Sequence, residues 1–395
     1  MTAPRLGDRT LFPLLEARAY LNHAGVSPPS EPVRRAVAGA VDDVARLGGG
    51  AVGLALERRA RLRARIAELL GVAPADVALT SNTTSGIQAV ALDFPWRRGD
   101  RVLLLDGEFP ANVTPWQQAA EAFGLSVAFV PVAAFLRSEE EGLAALDAEL
   151  RRGVRLVAVS AVQFRSGLAM PLPAMAARCA AAGAEIFVDA VQAAGALPLD
   201  VRGIDYLAAG GHKWLMGPSG TGFLWVRPER ARALVPRTAG WLSHEDPVRF
   251  LVDGPGLLRH DRPIQRGAGM VEGGGLPDAL LAGLLASLEA ILSLGIPAIA
   301  AHVGGYLDRL EPELVARGFR SLRVPHLAGR SGILSVEPPP GTGAAALARE
   351  LRTRGVSCAT PDGALRFAPH WPNDPGEIPA VVEAVDGALA AVAAR

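Results

Sequence analysis

A chain of 395 residues in which 40 Lys and Arg balance 40 Asp and Glu has no formal net charge. It therefore lacks the basic excess that nucleic acid or an anionic membrane surface attracts. Half of the residues are hydrophobic and two are cysteines, Cys179 and Cys358, which excludes a disulfide framework and suits a reducing compartment.

The chain opens on MTAPRLGDRT, which has no apolar core of the kind a secretory signal needs, so a cytoplasmic location is expected. Residues 1–15 read as an N-terminal segment, and the stretch up to Ser30 as a strap across two domains. A large domain is expected over 16–262. From about residue 100 onward, short β-rich runs alternate with helical spacing. The runs 101–106, 126–132, 156–162, 185–191 and 222–226 predict strands, and 114–123, 143–150 and 173–182 predict helices. Continuous apolar strands separated by helices imply an α/β fold with a mainly parallel sheet covered on both faces. Beyond about residue 263 the pattern changes to long Ala/Leu helices (276–294 and 297–317), strands at 332–338 and 364–369, and a final helix from Gly376. This predicts a smaller α+β domain over 263–395. The apolar stretch 276–303 is interrupted by Asp278, Glu289 and Pro297, so buried helices are expected there and not a membrane span.

Ligands in parallel sheets bind at the carboxyl ends of strands, and three features fall there. The first is Lys213, the one lysine in a chain with 39 arginines. A guanidinium stays protonated, whereas a desolvated ammonium loses its proton and attacks an aldehyde, so a single retained lysine marks a place where an amine is chemically required. It stands in Gly210-Gly211-His212-Lys213-Trp214, where glycines allow a bulky ligand close to the backbone. The second is Asp189, which ends the 185–191 run, where a carboxylate can meet a pyridine nitrogen. The third is Ser81-Asn82-Thr83-Thr84-Ser85-Gly86, which opens a helix with the free N–H groups and hydroxyls that a phosphate requires. The plainer reading of the last two is a buried ion pair and an ordinary N-cap. Phosphate site, strand-end acid and lysine in this order are more specific together than any one alone.

On these residues the chain resembles the class V group of fold-type-I pyridoxal-phosphate enzymes, which includes aminotransferases, cysteine desulfurases, selenocysteine lyase and isopenicillin N epimerase. The matching stretches run in order through nearly the whole chain: YLNHAGVSPPS (20–30), SNTTSGI (81–87), EFPANVTPW (108–116), VSAVQFRSG (159–167), VDAVQAAG (188–195), GGHKWLMGPSGTGFLWV (210–226), EGGG (272–275) and RFAPHWPN (366–373). The resemblance implies pyridoxal 5'-phosphate held as a Schiff base on Lys213, which later moves the Cα proton. It implies that Asp189 pairs with the ring nitrogen, that Gln192 lies near the phenolic oxygen, and that Phe109 stacks on the ring. Thr83, Thr84 and His212 would contact the phosphate. Arg366 would bind the substrate carboxylate, with Asn22 and His23 at the substrate mouth. Gly275, in EGGG, would come from a partner subunit, so a homodimer with shared sites is implied, acting on a small amino-acid substrate. No metal site is expected.

The chain departs from the family pattern at several positions. Phe109 stands where cysteine desulfurases carry a histidine. The loop before Arg366 is short and its Cys358 reads as a buried hydrophobe, so a persulfide-forming cysteine is not expected. Phe164, Gly210 and Gly275 replace side-chain donors common in relatives, which weakens cofactor affinity unless backbone groups compensate. Phe109, Phe164, Trp241 and Trp371 are expected to give the pocket an aromatic lining. Of the reactions that share this constellation, transamination is the first expectation, Cβ–S or Cβ–Se lysis the second and epimerisation the third. A non-catalytic relative that merely binds the cofactor is the reading from a different class.

Overall fold

The computed structural model describes residues 3–394; residues 1, 2 and 395 of the expected terminal segments lie outside it. Its centre is a seven-stranded sheet of β2 (Val77–Thr80), β3 (Arg101–Leu105), β4 (Ser126–Val130), β5 (Leu156–Ser160), β6 (Glu185–Asp189), β7 (Tyr206–Gly210) and β8 (Gly222–Val226), β1 (Ala19–Tyr20) lying outside this sheet. The strand order is β2-β8-β7-β6-β5-β3-β4. Only β8 runs antiparallel to its neighbours; the other pairings are parallel, as expected for an α/β fold. Every residue of β5, β6, β7 and β8 is buried, because both faces of the sheet carry helices, and LVAVS or GFLWV satisfies two apolar faces at once. The carboxyl ends of β2, β6 and β7 therefore converge on one edge.

The expected strands of the large sheet begin where predicted, and 222–226 also ends there, but the runs 126–132, 156–162 and 185–191 leave the sheet after Val130, Ser160 and Asp189. Val132 instead opens a short helix, while Ala161 and Val162 are buried beyond the strand end, Val162 bridging to Ala169. Two helices that the sequence reading left unassigned, α1 (Glu31–Leu47) and α2 (Val52–Leu70), pack on the helix Asp278–Leu294. Their arginine-rich faces conceal a thin apolar stripe, Val33 and Ala40 in α1 and Leu62, Ile66 and Leu70 in α2.

The expected division at 262/263 is not where the core changes. Ala268 and Met270 pack with one face of the large sheet, and Leu281, Leu284, Leu285 and Leu288 with the other. The second core begins at Ile291 and gathers the helices Ile296–Ala316 and Ile378–Ala393 around an antiparallel three-stranded sheet. That sheet consists of β9 (Arg320–Ser321), β10 (Leu334–Glu337) and β12 (Leu365–Phe367). Phe12, Ala19 and Leu21 also belong to this core, since β1 pairs in parallel with β11 (Val356–Ser357). The N-terminal segment thus adds a strand to the smaller unit before it crosses to the sheet edge. Among the described residues no single helix is long and apolar enough to cross a membrane. Asp278–Leu294 and Ile296–Ala316 combine such length and apolarity only as a pair bent by 79°, and their apolar sides are shared between the two cores.

Leu284, fully buried, fills the space beside Gly211 and Gly217, where an added Cβ would approach it to 3.1 and 2.6 Å. Leu284→Ala removes the contact that seats the lysine turn on this helix. It should cost about 2–5 kcal/mol, seen as a lower midpoint in denaturant unfolding.

Candidate active site

At the convergent strand ends lies a cavity of about 550 Å³. Lys213 reaches it from the turn between β7 and β8, and Asp189 from the end of β6. Thr83 and Thr84 reach it from the start of α3 (Thr83–Asp93), and Arg366 from β12. Phe109, Gln192 and His212 complete the sequence-predicted residues on its wall.

The lysine turn is built under constraint. Met216, three residues on, has φ 51°, a left-handed conformation uncommon for a side-chain-bearing residue, and its N–H closes back on the Lys213 carbonyl at 2.9 Å. Gly195 lies against the turn with φ 99°, and a Cβ there would meet the Trp214 carbonyl oxygen at 2.4 Å, so only glycine fits. Three consecutive carbonyls of the turn find donors far away in sequence. His212 O accepts from Ser27 N–H at 2.8 Å, Lys213 O from Ser27 Oγ at 2.6 Å and Trp214 O from His370 Nε2 at 2.8 Å. A carbonyl only accepts, so His370 carries its proton on Nε2 while Nδ1 receives the Trp371 N–H at 2.7 Å. Burial pulls His370 down to about 4, so it is neutral.

Lys213 Nζ stands 5.4 Å from the centre of the Phe109 ring. Burial lowers its amine to about 8, with the Asp189 carboxylate opposing and the Arg366 guanidinium adding to the fall. Burial likewise pushes Asp189 up to about 6, against the Val191 N–H and Lys213, which favour its ionised form. The one hydrogen bond made to the Asp189 side chain among the described residues is Val191 N–H to Oδ1 at 2.9 Å, which leaves Oδ2 for a cationic donor. Arg366 is almost buried and burial lowers it to about 10. Its Nη1 donates to Phe164 O at 2.9 Å, its Nε has no partner, and no carboxylate of the described residues pairs with it. A buried guanidinium in this state is prepared for an anionic ligand.

Asn82 caps α3, its Oδ1 accepting from Ser85 N–H at 2.8 Å. The N–H groups of the first turn, at Thr83 and Thr84, are thereby left to a ligand. Gly210 sits between Thr83 and His212: a Cβ there would lie 3.1 Å from Thr83 Oγ1 and 3.2 Å from His212 Nδ1. A glycine at this point leaves both side chains clear of a Cβ.

Several expectations need correction. Asn22 and His23 are not on the cavity wall; from their segment it is Ala24 and Gly25 that reach it. Asn22 bridges to Ala368, and His23 turns inward, its ring 5.4 Å from that of His370. Because Ser27 Oγ donates its proton to Lys213 O, His23 Nδ1 donates to Ser27 Oγ at 2.8 Å. His23 therefore supports the turn from behind. Gln192 is on the wall, yet its amide is held at both ends, by Ala24 O at 3.1 Å and Trp214 Nε1 at 2.8 Å. Gly275, which the resemblance assigns to a partner's cavity, lies away from its own chain's wall, with open space where a Cβ would be. Of the four aromatic residues expected to line the pocket, Phe109 and Phe164 do so, their rings edge to face at 5.3 Å. Trp371 is buried against Phe12, and Trp241 is half exposed elsewhere. Cys358 is buried, its thiol pushed up by burial to about 12, although Ala359, Thr360 and Pro361 directly after it line the cavity. Sequence reasoning gave no role to Ser27, Glu108 or His370, although all three stand in the matching stretches and His370 with Asn373 completes the C-terminal one.

An amine, a strand-end carboxylate, an anion cradle at a helix start and a buried, unpaired guanidinium around one cavity define an enzyme site for a phosphorylated aldehyde cofactor and a carboxylate substrate. A family model described as aminotransferase class-V matches residues 44–364, and the chain belongs to that family. An uncharacterized aminotransferase of Bacillus subtilis (strain 168), YcbU, is 27% identical over 94% of this chain and 94% of its own. Isopenicillin N epimerase of Streptomyces clavuligerus is 30% identical over 82% of this chain and 83% of its own. Among solved structures, an alanine mutant of C-DES with glycine covalently linked to the PLP cofactor superposes with a TM-score of 0.88 at 26% identity, covering 96% of this chain and 99% of that one. A second C-DES structure, a complex of this cystine C–S lyase with its product cysteine persulfide, gives 0.87 at 26% identity over 95% and 99%. Pyridoxal phosphate is accordingly the cofactor of this chain, and the donor set around the cavity fits it.

The cofactor-free protein allows a direct test of the Lys213 environment, since no other lysine competes. Reductive methylation followed by mass spectrometry at residue 213 should be half-maximal near pH 8, because the amine reacts only once deprotonated; a midpoint near the ordinary 10.5 would contradict the buried site.

Proposed function

We propose that the protein acts at the Cα of an amino acid, with Lys213 as the residue that holds the cofactor and moves the Cα proton. The observation that carries this reading is the meeting of Lys213, Asp189 and the unpaired Arg366 on one cavity wall. Bound here, pyridoxal phosphate supplies an aldehyde that condenses with amines and a protonated ring that draws electrons from Cα. Thr83 and Thr84, with the free N–H groups of α3 and His212, hold the phosphate. Asp189 Oδ2 would accept a hydrogen bond from the ring nitrogen, and Phe109 would pack on the ring. Arg366 would bind and orient the substrate through its carboxylate. Lys213 Nζ, its basicity brought close to neutral by burial, would hold and move the Cα proton.

Where Lys213 returns the proton decides the outcome. Delivery to the cofactor carbon completes a transamination, which is our first reading. The second is C–S lysis, in which the Cβ substituent leaves. It is favoured by the likeness to the C–S lyase C-DES over nearly the whole of both chains. Cys358, buried and high in pKa, does not suit a role as persulfide carrier, so sulfur would leave with the product. Delivery back to Cα from the opposite side, an epimerisation, comes third and is compatible with the likeness to isopenicillin N epimerase. A cytoplasmic homodimer whose second copy brings its Gly275 segment to the cavity completes the reading.

Single amino acids added to the cofactor-loaded protein, with no keto acid present, separate these readings by absorbance and product analysis. One equivalent of keto acid with an aminated cofactor establishes transamination. Catalytic build-up of pyruvate, ammonia or sulfide establishes lysis and displaces our first choice. Lys213→Ala should abolish turnover; substantial residual activity would remove the lysine from the mechanism. Arg366→Ala gives up a buried charge-assisted contact worth about 2 kcal/mol, so KM for carboxylate substrates should rise roughly thirtyfold. An unchanged KM would remove that role.

A further inference from the structure

Glu108 is a buried acid to which the chemistry above gives no task. It follows β3 by three residues, and its side chain crosses to the end of β5. There Oε1 accepts from Ser160 N–H at 2.7 Å and from Gln163 Nε2 at 3.1 Å, and Oε2 accepts from the Ser160 hydroxyl. The Asn112 amide lies beside the carboxyl and favours its ionised form. Among the described residues no cation forms an ion pair with it.

Ser160 is the register partner of Asp189 on the neighbouring parallel strand, and Ala161 N–H donates to Asp189 O at 2.8 Å. One strand-end residue therefore stands between Glu108 and Asp189, and side chains at register positions of parallel neighbours project from the same face. The groups facing this pair are Ser160 and Gln163 from the β5 end, Asn112 from the turn after Glu108, and Val191 after β6. Lys213 faces it from the lysine turn, with Arg366 beyond. Two carboxyls thus share one dry strand edge, and Lys213 is the cation that favours the Asp189 charge.

We infer that Glu108 is a positioning residue for the cofactor ring: a second buried carboxyl whose charge sets how firmly Asp189 holds a proton on the ring nitrogen. This rests on the reading that Asp189 meets that nitrogen. A bare brace between the Glu108 turn and β5 needs only hydrogen bonds, and a glutamine keeps them: its oxygen accepts from Ser160 N–H and Gln163 Nε2, and its amide nitrogen donates to the Ser160 hydroxyl. A charge adjacent to Asp189 acts differently, because an extra anion in a dry site favours protonated and cationic forms around it. Burial pushes Glu108 up to about 7, the Ser160 and Asn112 donors oppose the rise, and the Asp189 carboxylate adds to it. Glu108 consequently passes from neutral to anionic as pH rises through neutrality, strengthening the hold on the ring proton over that range.

The test is a pH titration of the visible band of the bound cofactor, without substrate, in the cofactor-loaded wild-type, Glu108→Gln and Asp189→Asn proteins. Removing the anion should lower the titration midpoint in Glu108→Gln by about 1 unit, while Asp189→Asn changes the band itself. If Asp189→Asn changes the spectrum and Glu108→Gln leaves the midpoint in place, Glu108 is only a brace and the inference fails, with the role of Asp189 intact. If neither variant changes anything, the reading of Asp189 fails and takes this inference with it. Should Glu108→Gln not fold, Ser160→Ala serves instead. It removes one donor from the ionised carboxyl, raises its pKa and should shift the midpoint in the same direction by less; an unmoved midpoint overturns the inference.

Discussion

Buried peptide carbonyls must find donors, and in the lysine turn that demand ties the whole molecule together. The Ser27 N–H and hydroxyl hold His212 and Lys213, and the His370 ring holds Trp214. One donor residue lies near the N-terminus and the other near the C-terminus, so the turn that carries Lys213 is held from both ends of the chain. His23 and His370 reinforce this. They are buried, neutral and edge to face; the Trp214 carbonyl fixes the proton of His370, and the Ser27 hydroxyl, its own proton committed to Lys213 O, fixes that of His23. A charged imidazole at either position would be desolvated without a counter-ion, which keeps both rings in one protonation state through the physiological range.

The same scaffold determines the electrostatics of the cavity. Lys213, Asp189 and Arg366 are all drawn toward their neutral forms by burial, and each modifies the others. Their charges are far less screened than surface charges, so the site is poised: an amine near neutrality, a carboxylate with one oxygen open and a guanidinium with an orphan N–H. Glu108 belongs to this balance because it shares the strand edge with Asp189. None of the four is held by a strong surface-type ion pair, in contrast to the many Arg–carboxylate pairs that cover the outside of the molecule. Exposed pairs of that kind contribute little each, and abundant arginine there is compatible with the retention of a single lysine inside.

Much of this was legible from the residues alone. The continuous apolar runs at β3, β5, β6 and β8 marked a mainly parallel sheet because a strand buried on both faces leaves no polar alternation. Lys213 stood out because no other residue in the chain offers a neutral side-chain amine. Asp189 and the Thr83–Thr84 pair were readable from position, at a strand end and a helix start. The arginine-rich α1 and α2 were not, because their buried stripes are narrow. Nor was the place where the core changes legible, since residues 276–288 look like the helix that follows them but pack on the large sheet.

What the amino-acid sequence determined by itself is the chemistry on offer: which strands can be buried, which turn can approach a ligand, and where an amine, a carboxylate and a guanidinium occur. Those are local properties of residue type and periodicity. Only the tertiary structure decided which side chains face the cavity. Asn22 and His23 stand two and one residues before Ala24 on the same strap, yet neither lines the cavity that Ala24 and Gly25 line, and the His23 ring turns to Ser27 and His370. Trp371 follows the site histidine yet packs behind it against Phe12. Glu108, unremarkable in its motif, comes to rest beside the neighbour of Asp189. The reason is that facing depends on pairings across the chain, Asn22 with Ala368 and Ser160 with Asp189, and no local pattern encodes a partner that lies tens or hundreds of residues away.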